Sequence, residues 1–195
     1  MRYDAEHKQK TREKVLKVAA KSIRADGPHR IGVAAVMAKA GLTHGGFYAH
    51  FESKDELVAA AIAQMFEESG ARFVHETADK PAAEALSSYI DFYLSPAHRD
   101  ARRTGCPIAA LSSDLPRLKE RTREQFAAGI RTWTRALAKL LGATGAAEPA
   151  VLAASALSEM LGALSLARLE SDAQRSDAIL AGSRNALKQR LGLEH

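Results

Sequence analysis

The chain has 195 residues, of which 46% are hydrophobic and 26% charged, and it contains one cysteine, Cys106. This composition is typical of a globular protein, with room for one large domain or for a small domain joined to a medium one. One cysteine excludes an intrachain disulfide framework and suits a reducing cytosol. The first thirty residues are charged and helix-patterned, so we expect no signal peptide and a cytoplasmic location.

The positive charge is concentrated at the N-terminal end. Residues 1–50 contain ten Lys and Arg against four Asp and Glu, whereas residues 51–195 contain eighteen against nineteen. A basic quarter beside a near-neutral remainder is typical of a nucleic-acid-binding domain joined to a second domain. A solvated Lys-rich helix face has the same composition, so charge alone leaves both interpretations open.

The predicted elements are all helices, and the chain is expected to be all-α. A first helix over 11–25 has apolar residues at helical spacing and ends at Asp26-Gly27-Pro28. A second helix over 33–39 ends before Gly41, a residue type that favours helix ends. Thr43 is a suitable N-cap for a third helix through His50. Two short helices joined by a tight glycine-containing turn predict a helix-turn-helix, whose second helix enters the DNA major groove.

Ser53 and Glu56 form a capping box that begins a long helix ending near His75. We expect further helices over 81–95, 116–141, 148–169 and 172–191, a polar loop over 98–105, and a short helix that Cys106-Pro107 opens.

Two segments near the end of the chain need separate comment. The Ala- and Leu-rich segment 150–169 has Glu159 at its middle, which favours a buried or interface helix over a membrane span. Leu193-Glu194-His195 is similar to the start of an expression tag and is excluded from functional reasoning.

The helix-turn-helix region resembles the DNA-binding domain of the TetR (tetracycline-repressor) family of transcription regulators. The family pattern is an Ala-Gly dipeptide, a hydroxyl residue, a glycine, an aromatic pair and a Phe-x-Ser-Lys-Asp run. The matching positions, without a gap, are Ala40, Gly41, Leu42, Thr43, Gly45, Phe47, Tyr48, His50, Phe51, Ser53, Lys54, Asp55 and Leu57. The rest of the chain resembles the family only in length and helical character. Gly32 is a departure, because the family has Ser or Thr there.

The resemblance implies a DNA-binding surface made of Thr43, His44, Gly45, Gly46, Tyr48, His50 and Lys54. Tyr48, His50 and Lys54 carry donors suited to phosphate oxygens, which position a protein without reading sequence. The glycines would let the backbone approach DNA closely. His44, Gly46 and Ala49 occupy the variable positions, and two of these have little or no side chain. This shifts weight from base contacts to His44, backbone contacts and DNA shape.

The resemblance also implies a homodimer formed by the last two helices and a ligand pocket within each subunit. The predicted domains are residues 1–53, which bind DNA, and residues 54–192, which bind ligand and dimerise. We expect a dimer contact built from small residues and leucines of the 148–169 helix, with an intramolecular bundle as the alternative. These residues are Ala156, Leu157, Met160, Leu161, Gly162, Ala163, Leu164 and Ser165.

Cys106 is a candidate sensor, because a helix N-terminus and the preceding Arg102 and Arg103 favour a thiolate. Its Gly-Cys-Pro segment is similar to that of the NemR-like, electrophile-sensing branch of the family. A buried, unreactive thiol is the alternative. Aromatic residues that include Phe92, Tyr93 and Trp133 are pocket candidates, although aromatic residues at helical spacing are more often core.

The resulting prediction is a ligand- or electrophile-responsive repressor that acts as a homodimer on a palindromic double-stranded DNA operator, away from membranes. A non-specific or architectural DNA-binding protein is one alternative. An enzyme with a vestigial helix-turn-helix is another, and no nucleophile, phosphate-loop or dinucleotide motif supports it. His29, His44 and His50 match no metal-ligand spacing, so neither a metal nor a cofactor is expected.

Overall fold

A computed structural model describes residues 2–193, with side chains from residue 6 onward. The described residues form nine α-helices, two short 3₁₀ helices and no strand, in agreement with the all-α prediction. The 3₁₀ helices are His44–Ala49 and Leu115–Arg117. The α-helices are α1 Arg2–Asp26, α2 Val33–Lys39, α3 Lys54–Thr77, α4 Ala82–Tyr93, α5 Pro96–Asp100, α6 Pro107–Leu111, α7 Glu120–Ala143, α8 Pro149–Leu169 and α9 Ala173–Arg190. Leu193 of the tag-like segment is buried, whereas Glu194 and His195 lie outside the described residues.

In the N-terminal unit α1 packs against α2 and α3, and α2 packs against the first 3₁₀ helix. α2 has the predicted bounds. The turn after it contains Gly41 at φ +71°, a backbone conformation that residues other than glycine rarely adopt. The next element is a 3₁₀ helix rather than the expected α-helix. Thr43 is its N-cap residue, but the Thr43 hydroxyl makes no capping hydrogen bond. The adjacent Gly45 and Gly46 explain the difference, because glycine is a poor α-helix former.

α3 connects the two halves of the molecule. Its capping box is confirmed in part: the Glu56 amide donates to Ser53 Oγ at 3.1 Å, while the Glu56 carboxylate accepts from the Glu52 amide at 2.6 Å rather than from Ser53. Farther along, buried Arg24 of α1 pairs with Glu68 of α3 at 2.8 Å. α3 thus joins the helix-turn-helix core to the second half of the molecule.

The second half packs α4 and α7 beside α3, with α8 and α9 completing the bundle. The predicted loop over 98–105 was wrong at its start, because α5 covers residues 96–100. Ser95 caps α5 by accepting from the His98 amide at 3.1 Å, and Pro96 occupies the first helical position. α7 begins at Glu120 rather than at Pro116, since a separate 3₁₀ helix precedes it.

α8 is long and apolar enough to cross a membrane by length and composition alone. However, it packs against α7 and α9, and one face of it belongs to the hydrophobic core. The core residues of α8 are Ala153, Ala156, Leu157, Met160, Ala163, Leu164 and Ala167. One face of α8 is thus buried in the helical bundle, in agreement with the buried or interface helix that the sequence favoured over a membrane span.

Candidate nucleic-acid interface and an internal cavity

The 3₁₀ helix His44–Ala49 is fixed to the protein by its phenylalanines. Phe47 and Phe51 are buried and stack with ring centroids 5.6 Å apart. Tyr48 contacts Phe47 edge-to-face, yet 72% of its surface is exposed. A large aromatic residue held outward on an anchored helix presents its hydroxyl to whatever approaches this face.

Gly45 of this helix is exposed, whereas Gly46 is half-buried beside Met37. A Cβ atom built on Gly45 meets nothing within 4 Å, and one on Gly46 makes only ordinary contacts at 3.8 Å. Gly45 and Gly46 are not among the glycines with a positive φ, so their backbone conformation does not call for glycine either. Beyond their effect on helix type, no packing contact requires glycine at these two positions, which favours a role in contact with an external molecule.

The remaining candidate residues lie beside this 3₁₀ helix and differ in whether their side chains already make hydrogen bonds within the protein. Thr43 and His44 are exposed. Lys54 is also exposed, but its Nζ donates to the His29 carbonyl at 3.2 Å, so part of its hydrogen-bonding capacity stabilises the loop before α2. Lys54 combines a structural contact with the predicted phosphate-facing position.

His50 is half-buried, and its Nδ1 is buried without a hydrogen-bond partner among residues 6–193. Burial lowers the pKa of His50, and Lys8 and Arg12 of α1 lower it further. Arg12 lies over the Phe51 ring at 4.9 Å. Lys8 and Arg12 thus lie beside the predicted DNA-binding surface.

A cavity of about 420 Å³ lies in the second half of the molecule, between α3, α4, α7 and the segment 97–106. All four predicted ligand or sensor residues line it, namely Phe92, Tyr93, Cys106 and Trp133. The sequence indicates Gly105 of this wall only as part of the Gly-Cys segment, and it gives no signal for His98. His98 lay in the segment expected to be a loop.

His98 connects two walls of this cavity. Its Nε2 accepts from the Cys106 amide at 3.1 Å, so its Nδ1 carries the proton and donates to the Tyr93 carbonyl at 2.8 Å. Burial lowers the pKa of His98 to about 4. Gly105 is required beside it, because a Cβ there would lie 2.9 Å from the Ala101 carbonyl and 3.1 Å from His98 Nε2. The neutral imidazole therefore holds the end of α4 against the start of α6.

Cys106 is the N-cap residue of α6, as predicted, but only 3% of its surface is exposed. Burial raises the pKa of its thiol, contrary to the expected thiolate. The desolvation of a buried anion outweighs the dipole of a five-residue helix. Arg102 does not offset it, since its guanidinium donates to the Arg168 carbonyl at 2.9 Å.

Comparison with known proteins identifies the family. Residues 15–61 match the N-terminal domain of bacterial regulatory proteins of the tetR family, and residues 82–180 match the C-terminal domain of LmrA/YxaF-like transcriptional regulators. An HTH-type transcriptional regulator of Mycobacterium tuberculosis is 30% identical, over 90% of this chain and 93% of the relative. The chain belongs to the TetR family.

Solved TetR-family structures share its fold. A regulator from Chloroflexus aurantiacus has a TM-score of 0.81 at 26% identity and covers 96% of each chain. The reduced form of Escherichia coli NemR has a TM-score of 0.82 at 21% identity, covering 92% of this chain and 96% of NemR. At that identity the NemR comparison supports the fold alone. Membership makes the chain a DNA-binding transcriptional regulator of a family that is generally cytoplasmic, dimeric and not enzymatic.

The expected TetR-type dimer contact needs correction at several residues. Ala156, Leu157, Met160, Ala163 and Leu164 are buried within the subunit, because this face of α8 packs on the rest of the bundle. The outward face of α8 instead carries Val151, Gly162, Leu166 and Leu169, and the two leucines are 59% and 82% exposed. Leu161 and Ser165 lie between the two faces.

Proposed function

We propose that this TetR-family regulator is a ligand-responsive repressor that binds a palindromic operator as a homodimer. Residues 1–53 bind DNA in this proposal, and residues 54–192 bind the ligand and form the dimer. The observation that carries it is the recognition surface. There, exposed Tyr48 and two glycines that no packing contact requires lie on a helix anchored by Phe47 and Phe51.

The DNA surface is tested with Tyr48→Phe, because this change keeps the ring on Phe47 and removes only the hydroxyl. Loss of one hydrogen bond to a charged phosphate weakens binding by roughly 1.5–3 kcal/mol, at least about tenfold. The assay is fluorescence anisotropy with a labelled duplex taken from the DNA flanking the coding gene. Val74→Ala, at an exposed position on α3, is the control and leaves affinity unchanged. Unchanged affinity in Tyr48→Phe and in Tyr48→Ala would exclude the assigned surface.

A homodimer is supported by the outward face of α8. Leu166 and Leu169 are large exposed apolar residues beside Gly162, where a Cβ would meet nothing within 4 Å. Gly182 of α9 is equally open. A glycine in an exposed helix costs about 1 kcal/mol relative to alanine, so open glycines on two adjacent helices favour a closely approaching partner.

Sedimentation velocity of the Leu166→Glu variant tests the dimer. In a two-fold apolar contact the new carboxylate would be buried near the same carboxylate of the second subunit, and the two negative charges would repel each other. We expect a monomer that retains its helical circular dichroism and loses operator binding. Val74→Glu introduces the same charge on α3 and should remain dimeric. A Leu166→Glu protein that stays dimeric would place the contact elsewhere.

Non-specific DNA binding is the second candidate function, because Gly46 and Ala49 offer no base-reading side chain. A competition assay, which measures how well random-sequence DNA displaces the flanking duplex from the protein, distinguishes specific from non-specific binding. A specific repressor prefers its site by at least about a thousandfold, whereas an architectural protein shows little preference.

A further inference from the structure

A surface cleft of about 480 Å³ lies between α1, the end of α2 and the segment that connects α5 to α6. Its lining residues are Val18, Lys21, Ser22, Lys39, Arg103 and Thr104. The cleft adjoins the 420 Å³ cavity, with which it shares Lys21 and Thr104. Its walls nevertheless come mainly from the helix-turn-helix half, so it is a junction between the two halves of the molecule.

The lining of this cleft carries positive charge without a counter-charge. Lys21, Lys39 and Arg103 are exposed, and none of them forms an ion pair with any residue between 6 and 193. Within that range no carboxylate residue lines the cleft either. Like charges that share one concave site repel each other and attract a counter-ion, so the cleft favours an anion from outside the chain.

Ser22 adds a buried hydroxyl to the same cleft. Only 6% of its surface is exposed, and its hydroxyl makes no hydrogen bond among residues 6–193. It is also absent from the fully enclosed polar atoms that have no partner, so its remaining surface opens into the cleft.

Other helical serines use their hydroxyls differently. The Ser69 hydroxyl donates to the Met65 carbonyl at 2.9 Å, and the Ser165 hydroxyl donates to the Leu161 carbonyl at 2.8 Å. Ser22 has the same helical surroundings and makes no such bond to the carbonyl four residues before it. Because buried polar groups are nearly always paired, a free hydroxyl beside three cations indicates a ligand with acceptor oxygens.

A phosphate group fits these donors better than a carboxylate does. As a monoester it carries about 1.5 to 2 negative charges near pH 7. Its tetrahedral oxygens point in several directions and can reach donors on three separate elements, whereas the two carboxylate oxygens lie in one plane. Duplex DNA is a poorer candidate, because Arg103 and Thr104 of the second half form one wall of the cleft.

We propose that this cleft binds a phosphate group, either free or carried by a small molecule, through Lys21, Lys39, Arg103 and the Ser22 hydroxyl. The bound group links α1 and α2 to the segment between α5 and α6. This inference goes beyond the proposed function, because it assigns a site outside the DNA-binding surface and outside the outward face of α8.

Isothermal titration calorimetry of the full chain tests the site, without DNA and in a phosphate-free buffer whose ionic strength is held constant with sodium chloride. The probes are inorganic phosphate and phenyl phosphate. We expect saturable binding at one site per chain. Tighter binding of phenyl phosphate identifies a phosphorylated small molecule as the source, and tighter binding of inorganic phosphate identifies the free ion. Absence of saturable binding for both probes would overturn the proposal.

Two variants assign the binding to the cleft. Ser22→Ala keeps every charge and should weaken binding by at least about tenfold, because a hydrogen bond to a charged group is lost. Arg103→Gln should also weaken it. Arg131→Gln is the matched control for charge, since Arg131 is exposed on α7 and lies outside the cleft. Native affinity in Ser22→Ala, or an equal loss in Arg131→Gln and Arg103→Gln, would overturn the assignment.

Tyr48→Phe separates this site from the DNA-binding surface and should leave phosphate affinity unchanged. Loss of phosphate binding in Tyr48→Phe, with native affinity in Ser22→Ala, would place the anion on the DNA-binding surface and overturn the proposal. The titration of the unmodified chain remains decisive if a variant does not fold. Operator binding is measured separately, so a chain that binds its operator but not phosphate refutes this site and leaves the repressor proposal standing.

Discussion

Lowering the pH from 7 to 5 should destabilise this protein through one buried histidine. His98 is neutral in the folded chain, because its Nε2 accepts from the Cys106 amide and its pKa is lowered to about 4. In the unfolded chain the same imidazole has an ordinary pKa of about 6.5. Between these two values the unfolded state binds more protons than the folded state, so stability falls as the pH falls.

The size of this effect follows from the two pKa values. A difference of about 2.5 pKa units corresponds to about 3 kcal/mol, lost in full only below pH 4. Between pH 7 and pH 5, linkage gives a loss of about 2 kcal/mol from His98 alone. Above pH 7 the contribution is flat, since the imidazole is then neutral in both states.

Urea unfolding followed by circular dichroism at pH 7 and pH 5 measures this loss, at one fixed protein concentration. Carboxylates also titrate near this range, so the informative quantity is the difference between the native chain and His98→Asn. Asparagine removes the titrating ring and leaves the Cys106 amide without its acceptor. The variant should therefore be less stable at pH 7 by about 1–3 kcal/mol but lose about 2 kcal/mol less on acidification.

His75→Asn is the control, because His75 is exposed near the end of α3 and makes no hydrogen bond with its side chain among residues 6–193. It should keep the pH dependence of the native chain. If His98→Asn and the native chain lose the same stability between pH 7 and pH 5, the linkage argument is wrong.

Three other predictions rest on local packing. Gly45→Ala should preserve the melting temperature, because its Cβ meets nothing within 4 Å, and should weaken operator binding in anisotropy. Gly129→Ala should lower the melting temperature, since its Cβ would lie 2.4 Å from the Phe66 ring, whereas Gly70→Ala on α3 has open space and should raise stability by up to about 1 kcal/mol. Iodoacetamide should label Cys106 at least about tenfold more slowly in the native chain than in urea, as burial raises the thiol pKa, and equal rates would contradict that burial.

The helix-turn-helix could be predicted from the sequence because its signals are local. The Gly41 turn, the Ser53 cap and the period of the apolar residues each act within a few residues, and the bounds of α2 were predicted without error. The change from an α-helix to a 3₁₀ helix after Thr43 was missed. The low α-helix propensity of Gly45 and Gly46 constrains the helix type there, in addition to any role in binding.

The chemistry of Cys106 could not be predicted locally. Its N-cap position and the neighbouring arginines are sequence-local features, and they favour a thiolate. Its burial depends on the folded bundle, where the Tyr93 side chain of α4 and Arg168 of α8 lie near the thiol. The same long-range packing buries five of the eight α8 residues that the sequence assigned to the dimer contact.

Glycine shows why sequence and structure contribute different information here. In the sequence, Gly45 and Gly105 are the same residue type beside a functional candidate. In the structure, a Cβ at Gly105 would collide with the Ala101 carbonyl, whereas one at Gly45 would meet open space. Gly105 is explained by the packing of the cavity wall, so it needs no external partner. Gly45 has no such packing explanation within the described residues, and in the proposed function it lets the backbone approach DNA.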